Sequence, residues 1–189
     1  MKTLTRRNFG ARSLATLGAV ALASATTGAW AEDLENTLYL DLSYGRVVIQ
    51  LRPDKAPKTV ARIKELARQH FYDGTPFHRV IADFMAQGGD PTGTGTGGSG
   101  KTLPAEFSDL KHERGTVSMA RSSDPNSADS QFFICFATAS HLDGQYTVWG
   151  KVVQGMEFVD KIKKGSGGGG TVSDPDKIKQ MRVAADVKG

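Results

Sequence analysis

Phe77-His78-Arg79-Val80-Ile81-Ala82-Asp83-Phe84-Met85-Ala86-Gln87-Gly88-Gly89-Asp90 places one arginine, large apolar side chains and a carboxamide around a run with strand character. At the two-residue period of a strand, Arg79, Ile81, Asp83, Met85 and Gln87 are expected on one face. An arginine in a strand ordinarily serves a surface salt bridge, so its neighbours decide whether it does more.

Outward from this segment, short apolar runs recur at residues 116–119, 131–137 and 146–153, separated by stretches rich in Gly, Asp, Ser and Pro. They read as strands of an all-β domain. Residues 37–51 alternate, with Leu38, Leu40 and Leu42 on one face, a short Ser43-Tyr44-Gly45 connection, then Val47, Ile49 and Leu51. That is the pattern of a β-hairpin. Pro57 suits the first turn of a helix with the stripe Val60, Ile63 and Ala67, ending near His70. A second helix is expected over residues 156–164, where Met156, Val159 and Ile162 form a stripe and Gly165 can cap it. The glycine run 165–170 reads as a flexible loop, and Met181, Val183, Ala185 and Val187 alternate as a closing strand. Many strands with only two helices favour a closed barrel, because closure removes exposed sheet edges.

A chain of 189 residues suits one domain with a substantial core. The formal charge of +4 would invite a nucleic-acid or membrane-surface reading. However, Lys2, Arg6, Arg7 and Arg12 all precede the first acid, Glu32, and account for the whole excess. The start runs Arg6-Arg7-Asn8-Phe9, an apolar stretch from about Leu14 to Ala25, then Ala29-Trp30-Ala31. We read residues 1–31 as a signal peptide cleaved after Ala31, its arginine pair resembling twin-arginine leaders. The apolar stretch falls short of the ~20 residues that span a bilayer, so no stable membrane association is expected after cleavage. The product, residues 32–189, is expected in the periplasm or otherwise exported. With Cys135 as its one cysteine it has no internal disulfide, and the apolar setting Phe132-Phe133-Ile134-Cys135-Phe136 reads as packed strand.

Two glycine strings invite a nucleotide reading. Gly95 to Thr102 matches G-x-x-x-x-G-K-T, and Gly93, Gly95 and Gly98 match G-x-G-x-x-G. Phosphate binding needs a buried strand before such a loop and a helix N-terminus after it. Upstream lies Gly88-Gly89-Asp90-Pro91, and downstream Pro104 stands where the helix would begin. A mobile surface loop is expected, with no nucleotide and no nucleic acid. The four histidines show no metal-ligand spacing, and Ser118, Ser122 and Ser130 assemble no motif-supported nucleophile with a base.

Two further runs join the first: Ser130-Gln131-Phe132-Phe133-Ile134-Cys135, and His141-Leu142-Asp143-Gly144-Gln145-Tyr146-Thr147-Val148-Trp149-Gly150-Lys151-Val152. With all three in place the chain resembles the cyclophilins from about Asn36 to Val187. Phe-His-Arg with Gln-Gly-Gly-Asp and Ser-Gln-Phe-Phe-Ile is a highly specific combination. The resemblance implies a closed eight-stranded antiparallel barrel capped by two α-helices, with the active groove on its outer surface. It implies peptidyl-prolyl cis-trans isomerase activity on proline-containing polypeptides, with neither metal nor organic cofactor. Arg79 matches the catalytic arginine, and Phe84, Met85, Phe133 and Leu142 match the pocket for the proline ring. Gln87 and Gln131 match polar groove residues, and Arg121-Ser122 the strip that pairs with substrate backbone.

The match departs in three places. His141 stands where cyclosporin-sensitive members carry tryptophan, which implies weak cyclosporin binding, since an imidazole offers less apolar area than an indole. Arg121 replaces an asparagine and Tyr146 a histidine common in eukaryotic members, so Arg121 could favour acidic residues flanking proline. A monomer is expected. The rival reading is a non-catalytic peptide-binding or chaperone module using the same groove.

Overall fold

The computed structural model describes Met1 and residues 33–187. Apart from Met1, the leader expected over residues 1–31 lies outside the described residues. The domain is mostly β: β1 (Thr37–Leu42), β2 (Gly45–Leu51), α1 (Pro57–Arg68), β3 (Arg79–Ile81), β4 (Met85–Gly88), β5 (Thr116–Met119), β6 (Phe132–Cys135), β7 (Val148–Gln154), α2 (Met156–Val159) and β8 (Gln180–Val183).

The β1–β2 hairpin forms as its alternation requires. Leu38 pairs with Ile49 and Leu40 with Val47, and all four are fully buried. At its turn Gly45 has φ +147°, and a Cβ there would lie 2.6 Å from the Phe158 ring, so the turn accepts only glycine. Helix α1 buries Val60, Ile63, Leu66 and Ala67. Its N-terminus lacks a local side-chain cap. Glu106 supplies one from a distance, accepting from the Lys58 and Thr59 amides at 3.0 and 2.9 Å, where a carboxylate also meets the positive end of the helix dipole.

Three expected elements come out differently. The strand through residues 80–87 is a tight hairpin, turned at Asp83 with φ +60°. Arg79 therefore faces Gln87, and Ile81 faces Met85, across two strands, while Asp83 leaves the shared face. Helix α2 is one turn rather than the nine residues expected over 156–164. Beyond it Asp176 accepts the Lys163 amide at 2.8 Å, and the chain tightens to deliver Ile162 into the core. Strand β8 stops at Val183, and a 3-10 turn, Ala184–Asp186, leaves Ala185 and Val187 exposed.

The eight strands form one antiparallel sheet in the order β3-β4-β6-β5-β7-β2-β1-β8. The closed barrel expected from sequence is corrected here: the sheet is open and curled, and β3 does not pair with β8. The free edge of the short β3 is taken by the irregular segment leading to β8. The Val80 amide donates to the Gly170 carbonyl at 2.8 Å, and the Val172 amide to the His78 carbonyl at 3.1 Å. The inner face holds the main core, where Phe132 meets Tyr72, Phe77 and Trp149 edge-on. Because side chains alternate across a sheet, Phe132, Ile134 and Ala86 enter that core. Their neighbours Phe133, Cys135 and Met85 form a second apolar cluster with Ala139 and Leu142 on the other face.

Candidate functional site

That second cluster lines a cavity of about 100 Å³ bounded by Arg79, Phe84, Met85, Gln87, Ala120, Arg121, Phe133, Leu142 and Tyr146. Met85, Phe133 and Leu142 are 1%, 5% and 8% exposed, so the apolar wall is set into the domain. The space suits one small ring and is far below the several hundred Å³ of ordinary cofactor sites. A second cavity of about 370 Å³ adjoins it, sharing Gln87, Ala120 and Arg121 and adding Ser122, Asp129 and Gln131. The residues expected from sequence are thus brought together, divided between two adjoining spaces. His141 lines neither: it is exposed, with its ring 5.5 Å from that of Phe84.

Arg79 is held by neutral acceptors. Its Nε donates to the Gly169 carbonyl at 3.0 Å, and its Nη1 donates to Gln87 Oε1 at 3.2 Å. Gln87 Nε2 donates onward to Gln131 Oε1 at 2.9 Å, and Gln131 Nε2 to the Gly95 and Gly97 carbonyls at 3.0 and 2.8 Å. The two carboxamides point the same way along this chain, so the orientation of each fixes the next. With neither direct acceptor charged, the guanidinium offers its charge and its remaining N–H donors to the cavity.

Arg121 is otherwise engaged. Its Nε and Nη2 donate to the Gln145 carbonyl at 3.1 and 2.9 Å, and its Nη1 donates to the Ser122 and Ser123 carbonyls at 2.8 and 3.3 Å. It also lies over the Tyr146 ring, 4.5 Å from its centroid. This geometry makes Arg121 a staple joining the two sides of the rim, with little donor capacity left for an acidic residue beside proline.

The glycine strings are ordered from within. Asp90, fully buried, accepts from the Thr92 amide and hydroxyl and from the Gly95 and Gly97 amides at 2.7 to 3.1 Å. Asp129 accepts from the Ser99 and Gly100 amides at 2.9 Å and from the Ser99 hydroxyl. The amides that would cradle a phosphate are therefore spent on the protein's own carboxylates. No helix follows, since Leu103 instead bridges to Ala128. The expected mobile loop is a bonded wall of the site.

Burial favours the neutral form of three groups around the site. Burial pushes the Cys135 thiol up to about 12 and lowers the His78 and His112 pKa values. His78 lies near the Pro76 carbonyl without reaching hydrogen-bond geometry, so neither ring nitrogen is satisfied, contrary to the usual expectation for a buried imidazole. His112 meets Asp143 through Nδ1 and Ser118 through Nε2, each at 3.1 Å, an association the sequence reading missed. Ser118 is 0% exposed, so this Ser-His-Asp set has no access to a substrate carbonyl. The role of the Gly95, Gly97 and Gly169 carbonyls was equally missed, and the glycine runs were their only trace.

The family described as cyclophilin type peptidyl-prolyl cis-trans isomerase matches residues 37–183. A probable peptidyl-prolyl cis-trans isomerase of Brucella suis is 53% identical over 185 residues, 91% of each chain. A peptidyl-prolyl cis-trans isomerase of Helicobacter pylori is 44% identical over 140 residues, covering 71% of this chain and 85% of that one. Among solved structures, a cyclophilin from Hirschia baltica superposes with TM-score 0.74 at 27% identity, over 82% of this chain and 76% of that one. A cyclophilin type isomerase of Cryptosporidium parvum, crystallised in the presence of the dipeptide Ala-Pro, gives 0.72 at 33% identity, over 78% and 98%. An apolar recess on the outer sheet face with an arginine at its edge, in a chain matched by that family across every strand, has one consistent reading: the chain belongs to the cyclophilin-type peptidyl-prolyl cis-trans isomerases.

Proposed function

We propose that the cavity of Phe84, Met85, Phe133 and Leu142 holds the proline ring of a polypeptide and that Arg79 is the catalytic residue. The observation that carries this reading is a guanidinium on neutral acceptors at the edge of a recess of about 100 Å³. An X-Pro amide resists rotation because of its partial double-bond character, with a barrier near ~20 kcal/mol. Halfway round, resonance is lost and the proline nitrogen gains a lone pair that the planar amide lacks. A positioned N–H donor then binds the transition state better than the ground state. Acceleration by roughly five decades requires about 7 kcal/mol, whereas a charge-assisted hydrogen bond supplies about 1.5–3. The ring anchor and the second cavity, which receives the preceding residues, must provide the rest by holding the two sides of the rotating bond.

The test is an isomerisation assay on an Ala-Pro peptide. Arg79→Ala should lower kcat about 100-fold, the scale of losing one transition-state donor. Equal turnover by both proteins would sink the mechanism. A pure binding module would retain peptide affinity with no isomerisation in either protein.

The leader-like start supports a role in folding exported proteins, as a periplasmic or otherwise exported monomer of residues 32–189. A mature N-terminus at Glu32 is expected from Edman sequencing, and retention of residues 1–31 would contradict it. Cyclosporin should bind weakly, because the exposed rim beside Phe84 carries His141, where an indole would add apolar area. A nanomolar Kd by calorimetry would refute that.

A further inference from the structure

The His112 ring, its side chain 0% exposed, packs against two aromatic residues of the cavity lining, Phe133 and Tyr146. It stacks on Phe133 with centroids 6.0 Å apart at 18°, and meets Tyr146 edge-on at 6.4 Å. Its Nε2 lies 3.1 Å from Ser118 Oγ, and Ser118 is the residue of β5 directly opposite Phe133 on β6. On the other side three bonds tie residue 112 to the segment carrying His141 and Leu142. The His112 amide donates to Asp143 Oδ1 at 2.8 Å, its Nδ1 lies 3.1 Å from the same oxygen, and its carbonyl accepts from the Ala139 amide at 2.7 Å. We propose that His112 is a positioning residue for the proline cavity, locking the Phe133 ring and the Leu142 segment at a fixed separation through Ser118 and Asp143.

The inference rests on the reading of this cavity as the proline site. His112 is absent from the cavity lining and acts only through its neighbours. The proton arrangement is determined by the partners. A carboxylate only accepts, so Nδ1 carries the proton toward Asp143, and in the neutral ring favoured by burial Nε2 accepts a hydrogen bond from the Ser118 hydroxyl. When that hydroxyl turns from the Thr147 carbonyl, which it can also reach at 2.8 Å, the carbonyl keeps the Met119 amide at 2.9 Å. Each polar atom of this set, on His112, Ser118, Asp143 and the Thr147 carbonyl, thus keeps a partner.

A wall that holds the ring in ground and transition states alike contributes uniform binding, and its loss raises KM with little change in kcat. A merely structural histidine would, when replaced, reduce the active fraction and so lower kcat at constant KM. We would measure both constants for the full chain on an Ala-Pro peptide, with Arg79→Ala alongside. His112→Asn should raise KM about fivefold or more with kcat within about twofold. Asp143→Ala cuts the same link at a residue whose side chain is 18% exposed, and should raise KM likewise even if the first variant fails to fold. Asp143→Asn, which keeps Oδ1 in place, should restore KM. Unchanged KM in Asp143→Ala, or no restoration by asparagine, overturns the proposal. An Arg79→Ala variant with full activity would instead overturn the site assignment itself.

Discussion

Two glycine-rich loops flank Arg79, nearly alike in composition and ordered by opposite means. Residues 92–100 are gathered by side chains: Asp90 takes four hydrogen bonds from the loop and Asp129 three. Residues 165–170 are gathered by backbone. The Gly165 amide donates to the Val80 carbonyl and the Val80 amide to the Gly170 carbonyl, at 2.9 and 2.8 Å. The first loop reaches Arg79 indirectly, through Gln131 and Gln87, and the second directly, through the Gly169 carbonyl. Glycine is needed in each for a different reason: in one so that amides can converge on a carboxylate, in the other so that a chain can lie against β3. The order of the first should depend on charge and pH, and that of the second on volume and backbone conformation rather than charge.

The largest effect should come from filling the close contact. At Gly170, φ is +71°, and a Cβ would lie 2.4 Å from Ile81 Cγ1 and 3.0 Å from the Val80 carbonyl. Gly170→Ala therefore combines a left-handed backbone penalty with overpacking, roughly 3 kcal/mol together. Urea denaturation should show that loss, and kcat should fall as Gly169 leaves Arg79. A variant as stable as the parent would mean that β3 does not need this contact.

Asp90→Asn should come second. Burial works against the charged carboxyl, but hydrogen bonds from Thr92, Gly97 and Gly95 outweigh it and pull the pKa from 3.8 down to about 2. A carboxylate with a depressed folded pKa stabilises fully above its unfolded value, and that stability is lost as pH falls through the folded one. Asp90 thus contributes about 2 kcal/mol at neutral pH by linkage. The gap between parent and variant, followed by denaturation from pH 7 downward, should hold to about pH 4 and shrink between pH 4 and pH 2. A gap constant down to pH 2 would show that charge does not organise this loop.

The smallest effect is expected at Gly168, where a Cβ would meet nothing within 4 Å and φ is not positive. Gly168→Ala should leave kcat/KM within about twofold and stabilise by up to about 1 kcal/mol, because alanine has less unfolded-state freedom to lose. Destabilisation beyond 1 kcal/mol would mean that the second loop also relies on backbone freedom at this open position.

The same division separates what was legible in the sequence from what was not. Alternation placed the β1–β2 leucines, Pro57 marked the start of α1, and the family motifs marked Arg79, Phe84, Met85, Phe133 and Leu142. The pleat of β6 then put Phe132 in the core and Phe133 in the cavity, as a two-residue period must. Periodicity failed at Asp83, where one positive φ folded an expected strand back on itself, and at α2, which Asp176 cuts short from thirteen residues away.

By itself the sequence determined which side chains share a face and which residue types the chemistry has available, because both are local properties of a repeating backbone. Tertiary structure alone decided that the sheet stays open and that His112 finds Asp143 and Ser118. It alone set Arg79 on a glycine carbonyl ninety positions along the chain. The physical reason is that a backbone carbonyl carries no side-chain identity, so the acceptor that orients the charge is named by no residue and exists only once the chain has closed around it.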